Sequence, residues 1–434
     1  MRLTVLGGGG FRVPLVYGAL LRDHGDPRID HVALHDVDAG RLRAVEQVLA
    51  QQAVGVADAP LVTATTVFEE ALEGADFVFS AIRVGGLDGR SRDERVALDL
   101  GLLGQETTGP GGVAYGLRTV PVAVRIAETV ARVAPDAHVI NFTNPAGMVT
   151  EAMQQVLDRG VVGICDSPIG LARRAVRALG LDPARTHADY VGLNHLGWLR
   201  ALEHDGVDVL PDLLADDAAL RTIEEARLMG PDWVRTLGSL PNEYLYYWYF
   251  TRDAVRSIVG EKQTRGEFLR DQQQGFYDAV AARPDRALEE WHRVRREREE
   301  TYMAEVREDD RDEEDAAGGG YEGVALAYMA AVMRGERTTM ILDVRNGTAV
   351  PGLPSEAVVE VPSLVDGTGA RPLATRPLDG HQLGLVQQVK AVEQIAIAAA
   401  RTGDPGLVLK AFALHPLVDS VEVARELVRG YGLG

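Results

Sequence analysis

The chain has 434 residues, 46% of them hydrophobic, and a formal net charge of −19, a length that suits two domains and a composition typical of a soluble globular protein. The acidic excess argues against a general nucleic-acid or anionic-membrane binder, since phosphate would be repelled, and any anionic substrate would need arginines of its own. No apolar run nears the roughly 18 residues of a membrane span, "MRLTVLGGGG" lacks the apolar core and cleavage site of a leader, and one cysteine excludes an intramolecular disulfide framework, which together fit a reducing cytoplasm.

In chain order, "RLTVLG" reads as a strand, "VPLVYGALLRD" as a helix, "HVALHD" as a strand and "AGRLRAVEQVLAQQA" as a helix with apolar residues at helical spacing. "ADFVFSAI" is a buried strand, followed by helix "TVPVAVRIAETVARVA", strand "AHVINFT", helix "GMVTEAMQQVLD" and strand "GVVGIC". This alternation predicts right-handed βαβ units in a doubly wound parallel sheet, a Rossmann-type α/β domain over 1–183, with its ligand crevice at the carboxyl ends of the strands. The pattern changes near Ala184, and 184–434 is expected to form a mixed α+β domain for substrate binding and oligomerisation. There "HADYVGLNHLGWL" reads as strand and turn, and mostly helical sequence runs to about Val306. The acidic, then glycine-rich run Arg307–Gly323 reads as a solvated loop. Strands "TTMILDVRN" and "AVVEVPSLV" follow, and long helices close the chain.

Four stretches carry chemistry. "VLGGGGFRVP" puts Gly7, Gly8, Gly9 and Gly10 where the first strand hands over to the first helix, where bare backbone can approach a pyrophosphate at the helix N-terminus. "HVALHD" ends in Asp36, a carboxylate suited to a ribose 2′-hydroxyl and repelling a 2′-phosphate, hence NAD over NADP; a glycine turn with a capping Asp is the structural alternative. Ser80–Gly112, "SAIRVGGLDGRSRDERVALDLGLLGQETTGPGG", mixes Arg83, Arg90, Arg92 and Arg95 with Asp88, Asp93 and Glu94 and reads as a charged functional loop or a set of ion pairs. "NFTNPAGMVTEA" holds Asn144 extended before Pro145, facing a nicotinamide or a sugar, or capping the next helix. "GICDSP" and "VGLNHLGW" end strands with Cys165 and His195, ligands that suit Mn²⁺, Zn²⁺, Fe²⁺, Co²⁺ or Ni²⁺. Their separation is not that of a zinc finger, and a buried thiol serving as a small apolar residue accounts for Cys165 as well.

Taken together, the Gly7–Gly10 loop, "IRVGGLDGRSRDERVAL", "GQETTGPGG", "GLRTVPV", "INFTNPAGMVTEA", "GICDSPIGL", "GLNHLGW", "PNEYLYYWY", "LPSEAVVEVPSLV" and "ALHPLV" resemble the NAD-dependent glycoside hydrolases of family 4, which include 6-phospho-β- and 6-phospho-α-glucosidases. The resemblance implies a lactate/malate-dehydrogenase-like architecture. It also implies a mechanism of hydride abstraction at C3 by NAD⁺, removal of the C2 proton by a tyrosine, charge stabilisation by Mn²⁺ or another divalent metal, elimination of the aglycone, water addition and re-reduction. Cys165 and His195 match the metal ligands, and Tyr244 the base, with Tyr247 as the alternative. Asp166 matches the acid of the α-type enzymes. Gly7 to Gly10, Phe11, Asp36 and Asn144 match the cofactor site. Arg90, Asn144 and Arg265 match the substrate site, the two arginines meeting the sugar 6-phosphate as bidentate partners.

The implied substrate is a phosphorylated disaccharide of the cellobiose type or a related glycoside, and the implied assembly a homodimer or homotetramer. "NFTNPAGMVTEA" and "VGGLDGR" favour 6-phospho-β-glucosides, whereas Asp166 after the cysteine is α-type. Gly10-Phe11-Arg12 stands where the family usually has Ser or Thr, a small residue and Tyr, and "LDVRNG" replaces an Asn-rich "NVPN". The other readings are a 6-phospho-α-glucosidase or a hydrolase of unphosphorylated glycosides, a plain NAD-dependent dehydrogenase, and a non-catalytic NAD or sugar sensor.

Overall fold

The computed structural model describes residues 1–158, 160–301 and 320–433, so most of the acidic run read as a loop lies outside the described residues. Six strands, β1 (Arg2–Leu6), β2 (His31–His35), β3 (Leu61–Thr65), β4 (Phe77–Ser80), β5 (His138–Asn141) and β6 (Val161–Gly163), pair in parallel in the order β3-β2-β1-β4-β5-β6. The chain winds outward from β1 in both directions, which opens a crevice beyond the carboxyl ends of β1 and β4. β1 and β4 are mostly apolar because both faces of the sheet are covered: Leu3, Leu6, Phe77 and Val78 are at most 1% exposed. Edge strand β3 and the short helix Phe68–Leu72 after it were not legible. "LVTAT" has no buried face, and its Leu61 is 63% exposed.

The remaining strands extend the same sheet with antiparallel pairing. They are β7 (Thr186–Leu193), β8 (Leu196–His204), β9 (Val207–Asp208), β10 (Leu240–Pro241), β11 (Thr338–Arg345), β12 (Val358–Asp366) and β13 (Gly369–Pro372). β11 joins β6 at Asp343 opposite Gly163, β12 joins β11 to β7, and β7 and β8 form a hairpin, giving one sheet of 13 strands.

The stretch read as a charged loop contains the helix Gly86–Asp99. Two of its acids are structural: Asp93 and Glu94 are each 2% exposed, and Arg118, on the helix Pro110–Val133, donates to Asp93 from both terminal nitrogens at 3.0 and 2.6 Å. A helix that buries carboxylates against arginines shows no apolar stripe, so hydrophobic periodicity missed it. Helix Arg265–Ala282 packs on it, started by a Thr264–Glu267 capping box.

Candidate active site

A cleft of about 1220 Å³ opens where β1, β2, β4, β5 and β6 end. After β1 the chain turns at Gly7, whose φ of +82° favours glycine. Gly8 N–H donates to the His35 carbonyl at 2.7 Å, and Gly9 N–H to Asp36 Oδ2 at 3.0 Å. A Cβ on Gly9 would lie 2.7 Å from Arg41 Cβ and 3.0 Å from that carboxylate oxygen, so the close approach requires glycine. Gly7, Gly9, Gly10, Phe11, Asp36 and Asn144 line the cleft. Gly8 is buried behind the loop, and the Phe11 ring, 5% exposed, packs edge-on to Phe276 at 5.2 Å. Beyond Asp36 the cleft continues past Val37, Phe68, Val122 and Ile126, an apolar slot of the kind a purine fills. Gly loop, helix N-terminus, Asp36 and slot fit a dinucleotide.

Across the cleft, the two-residue turn of the β7–β8 hairpin carries Asn194 and His195. His195 has a φ of 63°, an uncommon backbone for a non-glycine residue and one that collects at functional sites. Its imidazole is 7% exposed; burial pushes its pKa down to about 4 against the pull of Glu106 and Asp166, so it is neutral at pH 7. Nδ1 lies 2.7 Å from Thr107 Oγ1. Tyr244 stacks on the ring, centroids 3.6 Å apart and planes within 4°. It is placed there by β10 pairing with β8 and by Asn242, whose Oδ1 accepts from Tyr244 N–H at 3.0 Å. Tyr247 also lines the cleft but is 3% exposed and packs with Leu98, Leu103, Ala254 and Ile258. Cys165, at the end of β6, lines the cleft at 6% exposure. Burial first, then Glu360 and Asp166, raise its thiol well above the ordinary value. A cysteine and a neutral histidine facing one cleft suit a borderline divalent metal, which would have to displace the thiol proton. Among the described residues, no group of three or more His, Cys, Asp or Glu is arranged to hold a metal by itself, so substrate or water would complete the coordination.

Arg90 and Arg265 both line the cleft, but each guanidinium has protein partners. Arg90 Nε donates to Glu94 at 2.8 Å, and its Nη1 lies 2.5 Å from Glu106; despite burial, these carboxylates raise its pKa. Burial opposes ionisation of Glu106 too, yet Arg83 and Arg90 hold it down to about 2. Arg265 Nη1 donates to the Thr301 carbonyl and hydroxyl, each at 2.9 Å. Sequence reasoning noted Arg12 only as a departure from the family loop and did not single out Glu106, Arg295 or Arg298; all four line the cleft. Arg298 sits 5.9 Å over the Phe11 ring. Burial, then Arg12, Arg265, Arg90 and Arg83, depress its pKa well below the usual value. The signal was available: "GQETTGPGG" holds Glu106, but "WHRVRREREE" around Arg298 looks like any solvated charged helix.

Behind Cys165 lies a buried acid cluster. Glu360, 1% exposed, accepts from Tyr190 Oη at 3.0 Å and Asn194 Nδ2 at 3.3 Å. Burial pushes Asp343 up to about 8 against the opposing pull of Lys390. Lys390 Nζ reaches Glu151 at 2.9 Å and Glu393 at 2.5 Å.

Residues 2–181 match the model of the family 4 glycosyl hydrolases, and residues 190–418 that of the family 4 glycosyl hydrolase C-terminal domain. The 6-phospho-β-glucosidase of Escherichia coli (strain K12) is 30% identical over 99% of this chain and 94% of its own. The maltose-6′-phosphate glucosidase of Bacillus subtilis (strain 168) is also 30% identical, over 98% and 93%. The structure of the Thermotoga maritima 6-phospho-β-glucosidase with manganese, NAD⁺ and glucose-6-phosphate superposes with a TM-score of 0.82 at 26% identity, covering 99% of this chain and 97% of that one. Lactate dehydrogenase of Eimeria maxima (TM-score 0.56, 14% identity, covering 93% of this chain and 95% of that one) shares the fold alone.

Proposed function

The chain belongs to glycosyl hydrolase family 4, and on that premise we propose that it hydrolyses 6-phospho-β-glucosides, with NAD and Mn²⁺ or a related divalent metal as cofactors. The carrying observation is that one cleft holds the Gly7–Asp36 dinucleotide loop on one wall and the Cys165, His195 and Tyr244 group on the other. When bound, NAD would supply reversible oxidation at the sugar C3 and the metal would supply positive charge to stabilise the anion formed on deprotonation at C2. Cys165 and His195 hold that cation. Tyr244, stacked on His195, removes and returns the proton at C2. Asn144 orients the sugar against the nicotinamide. Arg12, Arg265, Arg295 and Arg298 give an acidic protein a basic cleft end for a dianionic phosphate; burial and then repulsion from neighbouring arginines depress Arg298, and arrival of an anion offsets the repulsive part. Arg90 supports that end through Glu94 and Glu106.

The 6-phospho-α-glucoside is a second reading, favoured by Asp166 at the cleft directly after Cys165. A free thiol in the site and the use of NAD support a cytoplasmic location. We further assign residues 1–183 to cofactor binding and 184–434 to substrate binding and oligomerisation.

The test is hydrolysis in D₂O. Deuterium at C2 of the released sugar, with release dependent on NAD⁺ and Mn²⁺, supports proton removal by Tyr244. Release without C2 deuterium contradicts it, and net accumulation of reduced cofactor points to a plain dehydrogenase.

A further inference from the structure

His195 has two ring nitrogens, and only the one without a proton binds a metal. Its Nδ1 is 2.7 Å from Thr107 Oγ1. His195 lines both the main cleft and a small cavity behind it, whereas Thr107 lines only the small cavity. Nε2 is therefore the nitrogen left to the cleft, and among the described residues it has no hydrogen-bond partner. The direction of the Nδ1 bond depends on where the Thr107 hydroxyl sends its proton. Gln105 decides that. Its Oε1 accepts from the backbone N–H of Thr107 and of Thr108, each at 2.6 Å, and a backbone N–H can only donate, so the amide orientation is fixed with oxygen toward Thr107. The same oxygen lies 3.2 Å from Thr107 Oγ1 and accepts its proton. A hydroxyl has one proton. With that proton given to Gln105, Oγ1 turns a lone pair to the imidazole and accepts from Nδ1–H.

We propose that Gln105 and Thr107 form a relay that holds His195 as the Nδ1–H tautomer and leaves the Nε2 lone pair facing the cleft as a metal ligand. Both are positioning residues that act through His195, Thr107 from the small cavity behind it and Gln105 from the wall of the cleft. The inference rests on the reading of Cys165 and His195 as the metal pair. Outer partners that orient a ligating histidine typically set metal affinity by about 10–100-fold.

The test uses the full chain saturated with NAD⁺ and titrated with Mn²⁺, following free Mn²⁺ by electron paramagnetic resonance, beside ¹⁵N-histidine spectra of the metal-free protein with His195 assigned from His195→Gln. His195→Gln should abolish tight Mn²⁺ binding; if it binds Mn²⁺ like the parent, the metal-pair reading itself fails, and the inference with it. Given that loss, Thr107→Val should weaken Mn²⁺ binding by about 10–100-fold, Thr107→Ser should restore it, and NAD⁺ affinity should stay within twofold. Gln105→Met should give an intermediate loss. The parent spectrum should show a protonated Nδ1 and an unprotonated Nε2. Parent-like Mn²⁺ affinity in Thr107→Val, or a protonated Nε2 in the parent, overturns the relay while leaving the metal pair standing.

Discussion

Tyr244 and Asp343 show what single residues do here. Tyr244 meets His195 face to face, whereas Tyr247, three positions on, is spent on packing. Tyr244→Phe should lower kcat by about 10²–10⁴, the usual worth of a positioned general base, abolish C2 deuterium exchange and leave NAD⁺ affinity unchanged. Tyr247→Phe should stay within about fivefold of the parent, since the Tyr247 ring is held by packing. Asp343 stands where "LDVRNG" departs from the family's Asn-rich run, and both its carboxylate oxygens lack a hydrogen-bond partner among the described residues. Its folded pKa is pushed up to about 8, against an unfolded value of about 4. Between the two the folded state binds more protons, so this group lowers stability as pH rises, and the whole penalty is present above the folded pKa. Asp343→Asn should therefore melt near the parent at pH 4 and progressively above it toward pH 9, as read by thermal unfolding. A difference that does not grow with pH would contradict that. The structure thus gives a physical consequence to a substitution the sequence left bare.

At the scale of elements, the site depends on how two helices meet. Glu94 accepts from Arg90 Nε at 2.8 Å with one oxygen and from Gly266 N–H at 2.7 Å with the other, tying helix Gly86–Asp99 to the start of helix Arg265–Ala282. Removing it leaves a buried guanidinium and a buried N–H short of partners. Glu94→Ala should cost about 3–5 kcal/mol in urea unfolding and weaken binding of a 6-phosphate more than of NAD⁺. On the cofactor side, Gly9→Ala should reduce NAD⁺ affinity at least tenfold and also lower the melting temperature, because the added methyl, in a buried part of the loop, would lie 2.7 Å from Arg41 Cβ and 3.0 Å from Asp36 Oδ2. These elements were unequally legible. The apolar strands and the glycine turn declare themselves by composition. Helix Gly86–Asp99 does not, because Ser91, Asp93 and Glu94 share its buried face with Leu87, Ala97 and Leu98, and Asp93 and Glu94 find partners on other helices at Arg118 and Gly266.

For the whole molecule, alternating strands and helices were enough to anticipate the parallel half, and the motifs at strand ends were enough to anticipate which residues share the cleft. Cys165, His195, Tyr244, Asp36 and Asn144 all line it. The antiparallel half extending the same sheet through β11 was not legible, since the single pairing of Asp343 with Gly163 leaves no mark in composition. Nor was the anion end, where Arg12 and Arg298 converge from distant parts of the sequence. The most direct measurement is nitrophenol release from four glucosides, α and β, each with and without a 6-phosphate, in the presence of NAD⁺, Mn²⁺ and thiol and with each omitted in turn. The account predicts release from the β-6-phosphate alone, lost when NAD⁺ or Mn²⁺ is withheld. Release from an unphosphorylated glucoside, or release that survives without NAD⁺, would contradict it.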